Sequence, residues 1–145
     1  MKWGPESSRR ARAIEIWAAL RSLGRRGVAD LIERTCQHAK AFADGFGVAG
    51  YEVLNDVVLN QVLISFGDDQ TTGRIIDAIQ ADGTCWCGGT IWKGRNAMRI
   101  SVSSWATTKA DVEQSLATML AIAAAEFRCR TRETQIPRNS FQDRG

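Results

Sequence analysis

The residues best placed to do chemistry lie in one run, GTCWCGGTIWKGRNAMRISVSSW, residues 83–105. It holds Trp86, Trp92 and Trp105, the pair Gly88 and Gly89, and Arg99 within an otherwise apolar, β-branched stretch. Side chains alternate across a strand, so Met98, Ile100 and Val102 share one face while Arg99, Ser101 and Ser103 share the other. A guanidinium buried alone is costly. One that meets a carboxylate forms a bidentate pair that lysine cannot match. By spacing alone, Arg99 reads first as a surface-strand arginine paired with a nearby acid, and second as the receiver of a ligand carboxylate.

Other chemistries find little support. Cys36, Cys85, Cys87 and Cys129 include no CxxC pair. Cys85 and Cys87 would share a strand face, whereas Cys36 and the lone His38 diverge on a helix. No metal site is expected from these residues, which read as buried, reduced thiols. One histidine, on an amphipathic helix, gives no expectation of a Ser/His/Asp triad. Asp68 and Asp69 sit where a turn would place them anyway. Gly88-Gly89 does not link a strand to a helix, so it is no dinucleotide fingerprint.

The elements that must position the 83–105 run follow from hydrophobic period and breakers. Ala13, Ile16, Trp17, Leu20 and Leu23 predict a helix over 8–23, stopped by Gly24. A second helix is predicted over about 25–48, with Val28, Leu31, Ile32, Thr35, Ala39, Phe42 and Phe46 on one face. Strands are expected at 51–55 and 60–66, and a helix at 71–81 with Ile75, Ile76 and Ile79 inward. A strand at 84–93, a reversal at 94–96 and a strand at 97–103 make a hairpin. Thr108 to Asp111 resembles a capping box and opens a last helix, 109–127. The order predicts an α+β fold: a four-stranded antiparallel sheet with helices on one face, preceded by a linker helix pair. Residues 1–7 form an N-terminal extension, 8–129 the folded unit, and 130–145 a disordered tail.

Three blocks of this sequence resemble one family. PESSRRARAIEIWAALRSLGRRGVADLIER, YEVLNDVVLNQVLISF and GTCWCGGTIWKGRNAMRISVSSWATTKADVE are similar, in unbroken order over about residues 5–120, to the C-terminal part of group II pyridoxal-phosphate-dependent amino-acid decarboxylases. That family includes the aromatic-amino-acid, glutamate, tyrosine and diaminobutyrate enzymes of the aspartate aminotransferase superfamily. The resemblance implies the small domain of a fold-type I enzyme together with the helices that join it to a large cofactor domain. It makes Arg99 the candidate for the substrate carboxylate, with Trp86, Gly88 and Gly89 as candidate wall residues. The family's Schiff-base lysine, ring-pairing aspartate and stacking histidine have no counterparts here. Lys2-Trp3 echoes the lysine motif only superficially, and Lys40, Lys93 and Lys109 fall in small-domain elements. The chain therefore reads as a truncated homologue, inactive alone and expected to bind no cofactor. The alternative is a non-enzymatic dimerisation or docking module that associates with a full-length decarboxylase.

Length and charge agree with a small domain. The chain has 145 residues, 44% of them apolar, enough for a single core. Residues 1–34 hold eight Lys/Arg against four Asp/Glu, residues 35–127 six against ten, and residues 128–145 five against two. Basic ends on an acidic body read as solvated surface, or as surface complementary to an acidic partner, rather than as a nucleic-acid site. No membrane span or secretory leader is expected, which predicts a cytoplasmic protein. The Trp-bearing face of the first helix predicts homo-oligomerisation, or docking on a cofactor domain.

Overall fold

The structure, a computed structural model, describes residues 12–134, with side chains from 13 to 129. The elements run α1 (Arg12–Val48), β1 (Glu52–Val53), β2 (Gln61–Ser65), α2 (Asp69–Asp82), β3 (Gly88–Trp92), β4 (Arg95–Ser101) and α3 (Lys109–Thr134). The four strands pair antiparallel in the order β1-β2-β4-β3. This is the α+β architecture that the sequence predicts.

The two N-terminal helices join end to end rather than folding back as a pair. They form one run with a break at Gly24, whose φ of 62° and ψ of −177° are not helical. A left-handed φ suits glycine, which has no Cβ to collide with the backbone. The C-terminal half of α1 carries the core face: Thr35, Ala39, Phe42 and Phe46 are buried. Residues 13–26 are all exposed.

Polar side chains end several strands earlier than hydrophobic pattern implies. Strand β1 stops at Val53 because the Asn55 amide takes over the pairing. Its Oδ1 accepts from the Leu63 N–H at 2.8 Å and its Nδ2 donates to the Gln61 carbonyl at 3.2 Å. Strand β3 starts at Gly88 rather than 84, and Gln80 Nε2 donates to the Cys87 carbonyl at 2.7 Å, tying the loop before the strand to α2. Helix α2 begins at Asp69, with Asp68 as its N-cap accepting from the Thr71 N–H at 2.7 Å. The aspartate pair is thus a helix start.

The hairpin reverses at Lys93-Gly94, not at 94–96. Trp92 pairs directly with Arg95, and Lys93 (φ 50°) and Gly94 (φ 81°) supply the two positive φ values that a two-residue type I′ turn requires. Arg95 and Asn96 therefore belong to β4. Thr108 and Asp111 form the expected reciprocal cap: the Thr108 N–H donates to Asp111 Oδ2 at 2.8 Å, and the Asp111 N–H donates to Thr108 Oγ1 at 3.3 Å. Helix α3 continues to Thr134, into the segment expected as tail. Residues 135–145 and the extension 1–7 lie outside the described residues.

All three helices cover one face of the sheet. Val62, Ile64, Met98 and Ile100 point into that layer and meet Phe42, Phe46, Ile75, Ile76, Ile79 and Met119 in one core. An edge-to-face set of Phe46, Tyr51 and Phe66, with Tyr51 stacked on Phe127, closes the core where β1 begins. Among the described residues the opposite face carries no helix. Among the described residues no helix is long and apolar enough to cross a membrane.

This two-sidedness predicts opposite costs for adjacent residues. Met98 has no exposed surface and Arg99 is exposed. Met98→Ala is expected to lower unfolding free energy by about 2–5 kcal/mol, and Arg99→Ala to change it by no more than about 0.5 kcal/mol. Urea unfolding of the two variants checks both values.

Candidate functional site

The helix-free face is built by alternation on β4. Arg95, Ala97, Arg99 and Ser101 project from it, beside Leu63 and Ser65 of β2 and Gly88, Thr90 and Trp92 of β3. Its small residues are sheltered by longer neighbours, so Ala97 and Ser65 are buried while Arg95 and Arg99 are exposed.

The two arginines differ in their partners. Arg95 donates from Nη1 and Nη2 to the two Glu52 carboxylate oxygens at 3.0 and 2.6 Å, and from Nη2 to Ser65 Oγ at 3.1 Å. This bidentate pair joins β4 to β1 across β2. The Arg95 guanidinium holds the Glu52 carboxyl below its usual value. Among the described residues Arg99 makes no hydrogen bond and no ion pair. Its cross-strand neighbours are Leu63 and Gly88. A Cβ at Gly88 would stand 3.9 Å from Arg99 Nη2, so the glycine leaves the space beside the guanidinium open.

The structure brings together only some of the residues singled out from sequence. Gly88 lies beside Arg99. Gly89 pairs with Met98 and turns to the helix side, where a Cβ would stand 3.7 Å from Ile76 Cδ1. A side chain there would face away from Arg99, and the glycine pair opens a strand rather than forming a turn. Trp86 is 73% exposed in the loop before β3 and lines an open cleft of about 270 Å³ with Ser101, Ser103 and Asp111. The three tryptophans do not cluster: Trp92 sits at the hairpin turn, whereas Trp86 and Trp105 sit beyond the other end of β3 and β4. The Arg95–Glu52 clamp escaped the sequence reading. A two-residue turn at Lys93-Gly94 would have exposed it, by placing Arg95 and Arg99 four apart on one face.

The remaining reactive groups are quiet. Burial pushes the Cys87 thiol up to about 12 and raises Cys85 as well, so neither is a ready thiolate. His38 is buried under the loop before α3, and its Nε2 has no hydrogen-bond partner. No group of three His, Cys, Asp or Glu among the described residues could hold a metal ion.

No protein-family model matches the chain, and no curated protein does. Solved structures do match in fold. Against Catharanthus roseus tryptophan decarboxylase in complex with L-tryptophan, the TM-score is 0.73 at 18% identity, over 79% of this chain and 26% of that one. Oryza sativa TDC with PLP and tryptamine gives 0.72 at 17% identity, over 79% and 26%. Rhodiola rosea 4-hydroxyphenylacetaldehyde synthase gives 0.70 at 19% identity, over 81% and 27%. The fold is that of the small C-terminal domain of the group II decarboxylase structures. The chain spans about a quarter of the length of the structures it matches.

Among the described residues, no lysine fits pyridoxal phosphate, which that fold family implies. A cofactor lysine needs a desolvated amine in a cleft with partners for the ring and the phosphate. Lys40 is exposed on α1, Lys93 lies in the hairpin turn with its Nζ 5.9 Å from the Trp92 ring centre, and Lys109 opens α3 and pairs with Glu113 at 3.4 Å. None of these three faces such a cleft.

The Glu52–Arg95 pair gives a pH prediction. Glu52 ionises more readily in the folded chain than in the unfolded one, so its contribution is complete above the unfolded value and is lost as pH falls through the lower folded value. Carboxyl-carbon NMR should place the Glu52 midpoint below that of an ordinary glutamate, and Arg95→Ala should return it to the ordinary range. An unshifted Glu52 in the parent chain would contradict the clamp.

Proposed function

We propose that this chain is the small-domain part of a pyridoxal-phosphate-dependent amino-acid decarboxylase, in which Arg99 receives the substrate carboxylate. The observation that carries this reading is the unpaired Arg99 on the helix-free sheet face, with Gly88 leaving room beside it. Glu52 satisfies Arg95, while Arg99 has no partner on that face among the described residues. A planar fork exposed in this way suits a carboxylate approaching from the open side. Trp86 and Gly88 stand as wall residues, and Gly89 drops out because it faces the helices. The fold shared with decarboxylases supports the reaction class, and the aldehyde synthase among the structural neighbours keeps the amino-acid substrate open.

Pyridoxal phosphate, held by a separate cofactor domain, would supply the electron sink for loss of carbon dioxide. This chain's part is to bind and orient the carboxylate and to close the site from one side. Alone it is expected to be inactive. A second reading, a non-enzymatic module docking on a full-length decarboxylase, draws on the exposed apolar residues of α1.

Borohydride reduction of the chain with pyridoxal phosphate should leave no stoichiometric phosphopyridoxyl-lysine. Joined to a decarboxylase cofactor domain, the chain should support turnover. There Arg99→Ala should raise KM or abolish turnover, and Arg99→Lys should recover part of it. Turnover indifferent to Arg99→Ala would end the carboxylate assignment. Stoichiometric lysine trapping in the isolated chain would end the division of labour.

A further inference from the structure

The middle of α1 and the loop that leads into α3 enclose a hollow of about 560 Å³, apart from the sheet face that carries Arg99. Arg34 and His38, one helical turn apart on α1, form one side. Trp105, Thr107, Thr108 and Lys109 form the other. Arg34 Nη2 donates to the Trp105 carbonyl at 2.7 Å, which ties the two sides together and holds the guanidinium at the edge.

Three independent features of this hollow favour an anion. Arg34 and Lys109 bring two exposed cationic side chains to it. Helix α3, 26 residues long, starts there. Thr108 accepts from the Asp111 and Val112 N–H groups, while those of Lys109 and Ala110 have no partner among the described residues. Such a helix start offers donors and a partial positive charge. The third feature is His38, which lines the hollow but is only 9% exposed, and whose buried Nε2 has no hydrogen-bond partner. An orphaned ring nitrogen is costly, and a ligand oxygen at the floor of the hollow would supply the acceptor it lacks.

The neighbouring acids are engaged elsewhere or turned away. Glu113 pairs with Lys109 at 3.4 Å, but the two side chains are 65% and 85% exposed, so water screens the pair and a ligand can redirect the amine. Asp111 Oδ2 accepts from the Thr108 N–H and hydroxyl, both at 2.8 Å. Glu33 accepts from Gln37, and Asp30, one turn before Arg34, makes no ion pair among the described residues. None of these acids lines the hollow.

We propose that the hollow binds a phosphate monoester, whose oxygens take donors from Arg34, Lys109, His38 and the start of α3, and whose organic group lies against Trp105. Donors arrive from α1, from the helix start and from the floor. The three terminal oxygens of a phosphate can meet all of them, where a carboxylate presents two oxygens in one plane. The volume exceeds what a bare phosphate fills, and Trp105, 77% exposed, offers a flat face for the rest. Lys109 acts as a charged donor, since its amine is solvated. The proposal requires nothing of Arg99.

His38 is the chain's only histidine, so its ring gives one set of NMR signals to follow. Titration of the full chain with phenyl phosphate should move the His38 ring and Trp105 indole signals together on one saturable curve. Inorganic phosphate should move His38 about fivefold more weakly, for want of the stacking partner. Arg34→Gln and Lys109→Gln should each raise the dissociation constant about tenfold. Lys40→Gln, which removes an exposed lysine of α1 outside the hollow, and Arg99→Ala should leave it unchanged. A linear, unsaturable response, inorganic phosphate binding as tightly as phenyl phosphate, indifference to Arg34→Gln, or an equal loss on Lys40→Gln or Arg99→Ala would each overturn the proposal.

Discussion

Burial of Met98 at the centre of the sheet fixes everything on the other side of it. Its strand lies between β2 and β3, with Ile64 and Gly89 as its cross-strand partners, and it has no exposed surface. A slip of β4 by one residue would expose Met98 and Ile100 and drive Arg95 and Arg99 into the core, at the cost of two desolvated charges. The register is therefore held by the apolar residues. The arginines on the open face are positioned as a consequence, without any contact made for their own sake.

Two small devices then differentiate those arginines. The Lys93-Gly94 turn begins β4 early enough for Arg95 to reach Glu52 on the far side of β2. Gly88, opposite Arg99, brings no side chain to compete for the guanidinium. One arginine closes the sheet and the other stays open. The difference rests on which strand ends where: the Asn55 amide ends β1, and Gln80 ties the loop before β3 to α2 through the Cys87 carbonyl.

The same economy leaves the domain unfinished at one end. Helix α1 contributes buried residues to the core only from Thr35 onward, and residues 13–26 are exposed among the described residues. The break at Gly24 separates the two parts. Three loops also expose large apolar residues at that end, Leu59, Trp86 and Trp105.

Much of the fold was legible in the sequence, because helical and strand periods record which face is buried. The stop at Gly24, the cap at Thr108 and Asp111, the isoleucines of α2 and the opposition of Met98 to Arg99 all follow from residue type and spacing. The resemblance to decarboxylase small domains also came from sequence blocks, and the solved structures agree with it in fold. What the sequence could not carry were properties of pairs distant along the chain. That Gly89 faces Ile76 while Gly88 faces Arg99, that Trp92 lies a strand's length from Trp86 and Trp105, and that Glu52 clamps Arg95 depend on pairing register and strand ends. Those are set by hydrogen bonds from Asn55, Gln80 and a two-residue turn, and such bonds leave no periodic trace in the sequence. Alternation fixes a residue's face from its neighbours alone, but only the assembled sheet decides which charge meets which.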